Sequence, residues 1–61
     1  MNESKFIVVN VKNKIICINI NYIKCFAEGI IDGYTHIIMK DGIEYITNEP
    51  INEIVNRLHT I

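Results

Sequence analysis

The chain has little of what stabilises secreted proteins or anchors membrane proteins. It has two cysteines, one proline, three glycines and no tryptophan, and no apolar run approaches the roughly 20 residues of a membrane-spanning helix. The polar start, residues 1–5, lacks the basic stretch and long apolar stretch of a secretory signal peptide. We therefore expect a cytoplasmic protein without membrane insertion, in which Cys17 and Cys25 are reduced.

The chain also lacks an excess of basic residues. Its formal net charge is −1, whereas a strong nucleic-acid binder usually has a basic surface. Its 61 residues have room for one small domain, residues 1–61. Such a domain buries only about 60% of the surface that its unfolded chain exposes, and usually needs a disulfide, a metal or oligomerisation.

Isoleucine is abundant, with fifteen residues, and most lie in short β-branched runs that favour strands. We predict five strands over residues 6–11, 15–20, 22–26, 34–39 and 43–47. Asn13 tolerates the left-handed conformation of a tight first turn. Asp41-Gly42 predicts a type I′ hairpin turn, in which both central residues have positive φ.

The apolar period changes near the end of the chain. Ile51, Ile54, Val55 and Leu58 follow the i, i+3, i+4, i+7 spacing of one helix face, and Pro50 suits a first helical turn. The predicted fold class is therefore α+β, mainly β, in the order β-β-β-β-β-α. We expect an antiparallel five-strand meander or a small curled sheet with one C-terminal helix packed on one face.

Several strands are apolar on both faces, whereas a sheet with one wet face alternates apolar and polar residues. One short helix cannot cover both sides. We therefore expect a second apolar face to form an interface with another copy or with a protein partner. The candidate residues are Phe6, Val8, Ile15, Cys17, Phe26 and Ile38.

Ile30 and Ile31 lie in a loop flanked by glycines. Two aliphatic side chains at a loop tip have two explanations. Either the loop folds back over the core, or the pair is an exposed contact for a partner. The sequence leaves both open, and we include the pair among the candidate interface residues.

The residues that could bind zinc are Cys17, Cys25, His36 and His59. Structural zinc sites usually bring ligands in close pairs, such as two cysteines separated by two to four residues. The two cysteines here do not form such a pair, so they are expected to act as small apolar residues. No spacing among the carboxylates marks an acid–base pair. We therefore expect no metal, no cofactor, no catalytic residues and no enzyme activity.

The order of the apolar residues resembles the small flagellar-operon proteins of the FlbD/SwrD-like family. The resemblance runs from Phe6 to Leu58. It rests on the positions Ile7-Val8-Val9, Ile18-Asn19, Ile23, Thr35, Ile37, Met39, Asp41-Gly42, Tyr45-Ile46, Glu49 and the helix stripe. The first turn departs from it, because Asn13-Lys14 stands where the family has Asn-Gly. The resemblance implies a non-enzymatic accessory factor.

A second resemblance is to the LytTR DNA-binding domain. It rests on Asn21-Tyr-Ile23, Thr35-His-Ile37, Asp41-Gly42, Tyr45 and the final helix. It implies a nucleic-acid-binding regulatory domain, for which a basic and aromatic platform would be needed. The residues available for one are Lys12, Lys14, Lys24, Tyr22 and Phe26.

We expect a small non-enzymatic protein-interaction or regulatory module that is homo-oligomeric and binds a protein partner. Nucleic-acid binding is the alternative, and a phage- or mobile-element-encoded inhibitor of a host protein is another. Salt distinguishes the classes, because phosphate contacts weaken steeply as salt is added.

Overall fold

The computed structural model describes residues 5–60, which form strands, a short 3-10 turn and one α-helix in the predicted order. The mainly-β class and the order β-β-β-β-β-α are confirmed. The elements are β1 (Phe6–Val11), β2 (Lys14–Asn19), the 3-10 turn (Ile20–Tyr22), β3 (Ile23–Glu28), β4 (Thr35–Met39), β5 (Glu44–Thr47) and α1 (Ile51–His59).

The strands belong to two antiparallel sheets, so the prediction of one five-strand meander is wrong. β1 and β2 form a hairpin, and β3, β4 and β5 form a three-stranded sheet in that order. The 3-10 turn separates them. The Asn19 side chain accepts a hydrogen bond from the Asn21 N–H at 3.0 Å, and the Ile20 N–H donates to the Lys5 carbonyl at 3.0 Å. These bonds turn the chain, so β2 and β3 do not pair.

One face of each sheet, together with the helix, encloses the core. The hairpin register pairs Ile7 with Ile18, and the second sheet aligns Phe26, Ile37 and Tyr45 on its inner face. The buried apolar residues are Ile7, Val9, Ile18, Ile37, Met39 and Ile54. This cluster is the apolar contact between the two sheets, which share no backbone ladder.

The two hairpin turns differ. Lys12 and Asn13 both have positive φ, 51° and 65°, as a two-residue type I′ turn requires. The prediction of a type I′ turn at Asp41-Gly42 is wrong, because of that pair only Gly42 has positive φ, 94°. Gly42 donates to the Met39 carbonyl at 3.0 Å, and the Asp41 side chain accepts from the Ile43 N–H at 3.0 Å. A glycine in the left-handed region after such a turn fits a three-residue hairpin loop.

The predicted helix stripe docks on the sheets. Ile54 is fully buried, Ile51, Val55 and Leu58 are half-buried, and α1 lies against β1 and β3. Pro50 occupies the position just before the helix, with extended backbone. Among residues 5–60, no helix is both long and apolar enough to cross a bilayer.

Shortening the Ile54 side chain should destabilise the fold in proportion to the volume removed. We expect Ile54→Val to lower the free energy of unfolding by about 0.5–1.5 kcal/mol and Ile54→Ala by about 2–5 kcal/mol. Urea unfolding followed by far-UV circular dichroism measures both. The control is Asn56→Ala on the exposed side of the same helix, which should leave the midpoint nearly unchanged. Equal losses for Ile54→Ala and Asn56→Ala would show that the helix does not depend on this contact.

Candidate interaction surface

One face of the β1–β2 hairpin is apolar and exposed. Val8 pairs with Cys17 and Asn10 pairs with Ile15, so alternate residues of both strands project to the side opposite the core. The exposed fraction is 54% for Phe6, 49% for Val8 and 77% for Ile15, and Cys17 is exposed as well. We name Phe6, Val8, Ile15 and Cys17 the hairpin face. Four of the predicted interface residues therefore lie together.

Phe26 and Ile38, also predicted as interface residues, do not join the hairpin face. Phe26 pairs with Ile37 and packs against the core cluster, on the inner side of the three-stranded sheet. Ile38 lies on the outer side of that sheet, between Cys25 and Glu44, and is half-buried. Placing both on one face was wrong, because Phe26 and Ile38 project to opposite sides.

The loop between β3 and β4 leaves its two isoleucines in solvent. Ile30 is 100% exposed and Ile31 is 66% exposed, so the explanation that these side chains fold over the core is wrong. Two backbone hydrogen bonds hold the loop. The Gly29 N–H donates to the Tyr34 carbonyl at 2.9 Å, and the Tyr34 N–H donates to the Ile31 carbonyl at 3.2 Å. With Tyr34, His36 and Ile46, the isoleucines line a shallow groove of about 310 Å³.

A larger groove of about 610 Å³ opens where the start of β1 meets the β4–β5 turn. Its apolar lining includes Phe6, Tyr22 and Ile43, which are 54%, 62% and 50% exposed. Lys40 and Asp41 supply its charges, and the Asp41 carboxylate already accepts the Ile43 N–H. Sequence reasoning missed this groove, because Tyr22 was assigned to a strand and Ile43 to the returning strand of a tight turn.

Three side chains bond the outer edge of β1, and we name Thr47, Glu49 and Arg57 the edge clamp. Glu49 accepts from the Asn10 N–H at 3.1 Å, and the Thr47 hydroxyl donates to the Asn10 carbonyl at 2.7 Å. Arg57 donates to the Val8 carbonyl at 3.1 Å and forms an ion pair with Glu49. The clamp replaces a neighbouring strand along this edge.

The charges of the clamp stabilise each other. The hydrogen bond from Arg57 lowers the pKa of Glu49, against the opposing effect of burial, and the bond from Asn10 lowers it further. The Glu49 carboxylate in turn raises the pKa of Arg57. Arg57 itself is half-buried. The pairs that Arg57 forms span up to 49 residues, which no local pattern reveals.

The residues considered for zinc are dispersed. Cys17 lies on the hairpin, Cys25 on β3 and His59 at the last position of α1, while His36 is paired with Glu44 on the outer face of the second sheet. Both cysteines are free and exposed. Across residues 5–60, no three side chains of His, Cys, Asp or Glu come together as a set of metal ligands.

Comparison with known proteins gives no relative to set beside this geometry. No family model, no curated protein and no solved structure matches the chain. The resemblances to the FlbD/SwrD-like family and to the LytTR domain therefore stay predictions from the sequence.

The edge clamp makes stability depend on pH in a definite direction. Because the pKa of Glu49 is lowered in the folded protein, its contribution is complete above the unfolded value. The contribution is lost as the pH falls through the folded value. We expect the free energy of unfolding to decrease below about pH 4.5, the ordinary carboxyl value, as measured by urea titrations at several pH values.

Glu49→Gln tests this assignment. It should cost about 1–2 kcal/mol at pH 7, since a charged hydrogen-bond partner is removed from a partly exposed site, and it should flatten the acid dependence. The matched control is Glu53→Gln. A Glu53 carboxylate oxygen lies 3.7 Å from a guanidinium nitrogen of Arg57, but the Glu53 side chain is more exposed, so it should contribute much less to the free energy of unfolding. Glu49→Gln and Glu53→Gln curves that coincide would contradict the role given to the clamp.

Proposed function

We propose that the chain is a non-enzymatic protein-interaction module that associates with itself through the hairpin and acts by binding a protein partner. The observation that carries this proposal is the hairpin face. Three large apolar side chains are about half or more exposed there, and they project from the reverse of strands whose other side forms the core.

The clustering of these residues on one hairpin is what indicates an interaction site. Single apolar residues are common on protein surfaces and need no explanation. Phe6, Val8 and Ile15 instead lie within one pair of strands fixed by a tight turn, so binding would order few additional groups. Contiguous apolar patches rimmed by polar residues are typical of interaction sites. Asn10 and Asn19 are the polar neighbours on the same side of the hairpin.

The size of the chain supports self-association as one of these interactions. A domain of about 60 residues has little core to spare, and this one buries six apolar side chains among the described residues. Covering the hairpin face with a second copy would add apolar burial at about 25 cal/mol per Å². Closed two-fold dimers are the commonest way in which soluble proteins obtain such cover.

The nucleic-acid alternative receives less support from the positions of the basic residues. Lys12 and Lys14 lie at the turn of the hairpin, whereas Tyr22 and Lys24 follow the opposite end of β2. A six-residue strand separates these ends, roughly 17–20 Å in length. A platform for single strands needs aromatic and basic side chains along one continuous groove. The hairpin face between them has no charged residue.

Self-association and its surface are tested by measuring the average mass in solution by light scattering across a dilution series. We expect an oligomer that dissociates on dilution. Val8→Glu and Ile15→Glu should each lower the average mass at a given concentration. An isoleucine that is buried on association contributes about 1.5–3 kcal/mol, so the dissociation constant for Ile15→Glu should rise at least about tenfold.

The matched control is Ile46→Glu, which places the same charge on the other sheet, at a residue whose exposure of 46% is close to the 49% of Val8. It should leave the average mass unchanged, while circular dichroism confirms that all variants fold. A second arm adds short nucleic acids at increasing salt, where phosphate-dependent binding weakens steeply and apolar association does not. A wild-type chain that stays monomeric at every concentration, or equal effects of Ile46→Glu and Ile15→Glu, would overturn the proposed surface.

A further inference from the structure

The hydrogen bonds of Asn10 show which way the backbone of β2 points. The Asn10 N–H donates to Glu49, outside the hairpin, so it does not donate across to Ile15, its partner on β2. In an antiparallel pair, residues opposite each other either exchange both backbone bonds or exchange none. The N–H and carbonyl of Ile15 therefore point away from β1. Cys17, two residues further along, has the same orientation because these groups alternate with period two.

The outer strands of the two sheets differ in how their edges are protected against pairing with another chain. The edge of β1 is bonded by the edge clamp. The edge of β3 has a bulge between Ile23 and Cys25 and carries Lys24 and Glu28, and bulges and charges both discourage pairing with another chain. The remaining edge of the second sheet, at β5, lies beside β1.

The edge of β2 has no bulge, no clamp and no charge beyond its first residue. Its six residues contain no proline, and its ladder with β1 runs without a bulge from Lys14 to Asn19. Its one charged residue is Lys14, at the first position. Among the described residues, no hydrogen bond from another element reaches the backbone of Ile15 or Cys17. An unprotected strand edge of this kind is a template for another strand.

We propose that β2 pairs with β2 of a second copy, antiparallel, about a two-fold axis at Cys17, so that two hairpins form one four-stranded sheet. This deepens the proposed function and rests on it, because it names how self-association begins. The occupant is a second copy because an isologous contact needs a self-complementary edge. Residues 15–19 carry no charge, so two copies do not repel.

The axis at Cys17 follows from the same charges. It pairs Ile15 with Asn19 of the other copy and leaves both Lys14 side chains outside the paired segment. The outward N–H and carbonyl groups of Ile15 and Cys17 then find partners. The two hairpin faces then lie side by side on one side of the joined sheet. They form one larger apolar surface, which a further copy or a protein partner covers in the proposed function.

Cysteine crosslinking tests the pairing directly. Opposed residues in the ladder have Cα atoms about 5.5 Å apart, within the range of about 4.4–6.8 Å that a disulfide spans. Two sheets packed face to face are about 10 Å apart, too far for a disulfide. In a Cys25→Ser background, we expect diamide to convert most of the oligomer to a disulfide-linked dimer through Cys17. Diamide takes up the two electrons and two protons that the thiols lose.

Two further variants show which residue forms the crosslink and allow for a shifted pairing. Cys17→Ser with Cys25 retained should give no crosslinked dimer, although Cys25 is exposed as well. Ile15→Cys with Cys17 retained and Cys25→Ser should crosslink even if the pairing is shifted by a residue or two toward the turn. An oligomer that forms no crosslink in either the Cys17 or the Ile15→Cys variant would overturn strand pairing while leaving the proposed function standing. A monomer at every concentration would overturn both.

Proline at Ile15 isolates the backbone contribution. Because the Ile15 N–H points away from β1, Ile15→Pro should be tolerated in the hairpin, as proline is at edge positions. Ile15→Thr loses the same apolar side chain but keeps the N–H. We expect Ile15→Pro to weaken association at least about tenfold more than Ile15→Thr, since two symmetric hydrogen bonds are lost. Equal association of the two variants, or an unfolded Ile15→Pro, would contradict the proposed edge.

Discussion

The structure depends on the hydrogen bonds that the outward backbone groups of β1 make, at Val8 and Asn10. The two sheets share no backbone ladder, and the Glu49 carboxylate with Thr47 and Arg57 makes the polar connection between them. Arg57 comes from the helix and Thr47 from the end of β5, so one small network ties the hairpin, the second sheet and α1 together. Thr35 adds to it by donating to the Glu49 carbonyl at 2.7 Å, which fixes the segment leading into the helix.

The network explains why the hairpin has two unlike sides. Closing the β1 edge places the hairpin against the second sheet and the helix, and this buries Ile7, Val9 and Ile18. The opposite face, with Phe6, Val8 and Ile15, is then left uncovered, because α1 lies on the core side, where Ile54 joins the buried cluster. The same arrangement leaves β2 as an edge. The exposed hairpin face and the open β2 edge therefore have the same cause, which is the way the hairpin packs against the second sheet and the helix.

Much of the local structure could be predicted from the sequence. The β-branched runs located all five strands, and the i, i+3, i+4 spacing located the helix and its buried stripe around Ile54. Alternation along β1 and β2 also separated the buried residues from the hairpin face. These features depend on neighbours within a few residues, which a pattern records directly.

The features that failed depend on contacts between distant residues. The division into two sheets follows from a 3-10 turn stabilised by Asn19 and by a bond to Lys5. The spacing of apolar residues does not reveal this turn. Phe26 was placed on the wrong side because the bulge in β3 shifts the register next to it. The edge clamp joins Asn10 to a side chain 39 residues away. Such pairs have no local signature in the sequence.

We propose that the hairpin has one edge closed within the chain, at β1, and one edge that a second copy closes, at β2. Amide hydrogen exchange resolved by residue measures this directly. We predict that the Asn10 amide is protected at every protein concentration, whereas the Ile15 and Cys17 amides exchange fast in dilute solution and slowly in concentrated solution. Fast exchange at Ile15 and Cys17 under conditions where the protein is oligomeric would contradict the account, as would an unprotected Asn10 amide.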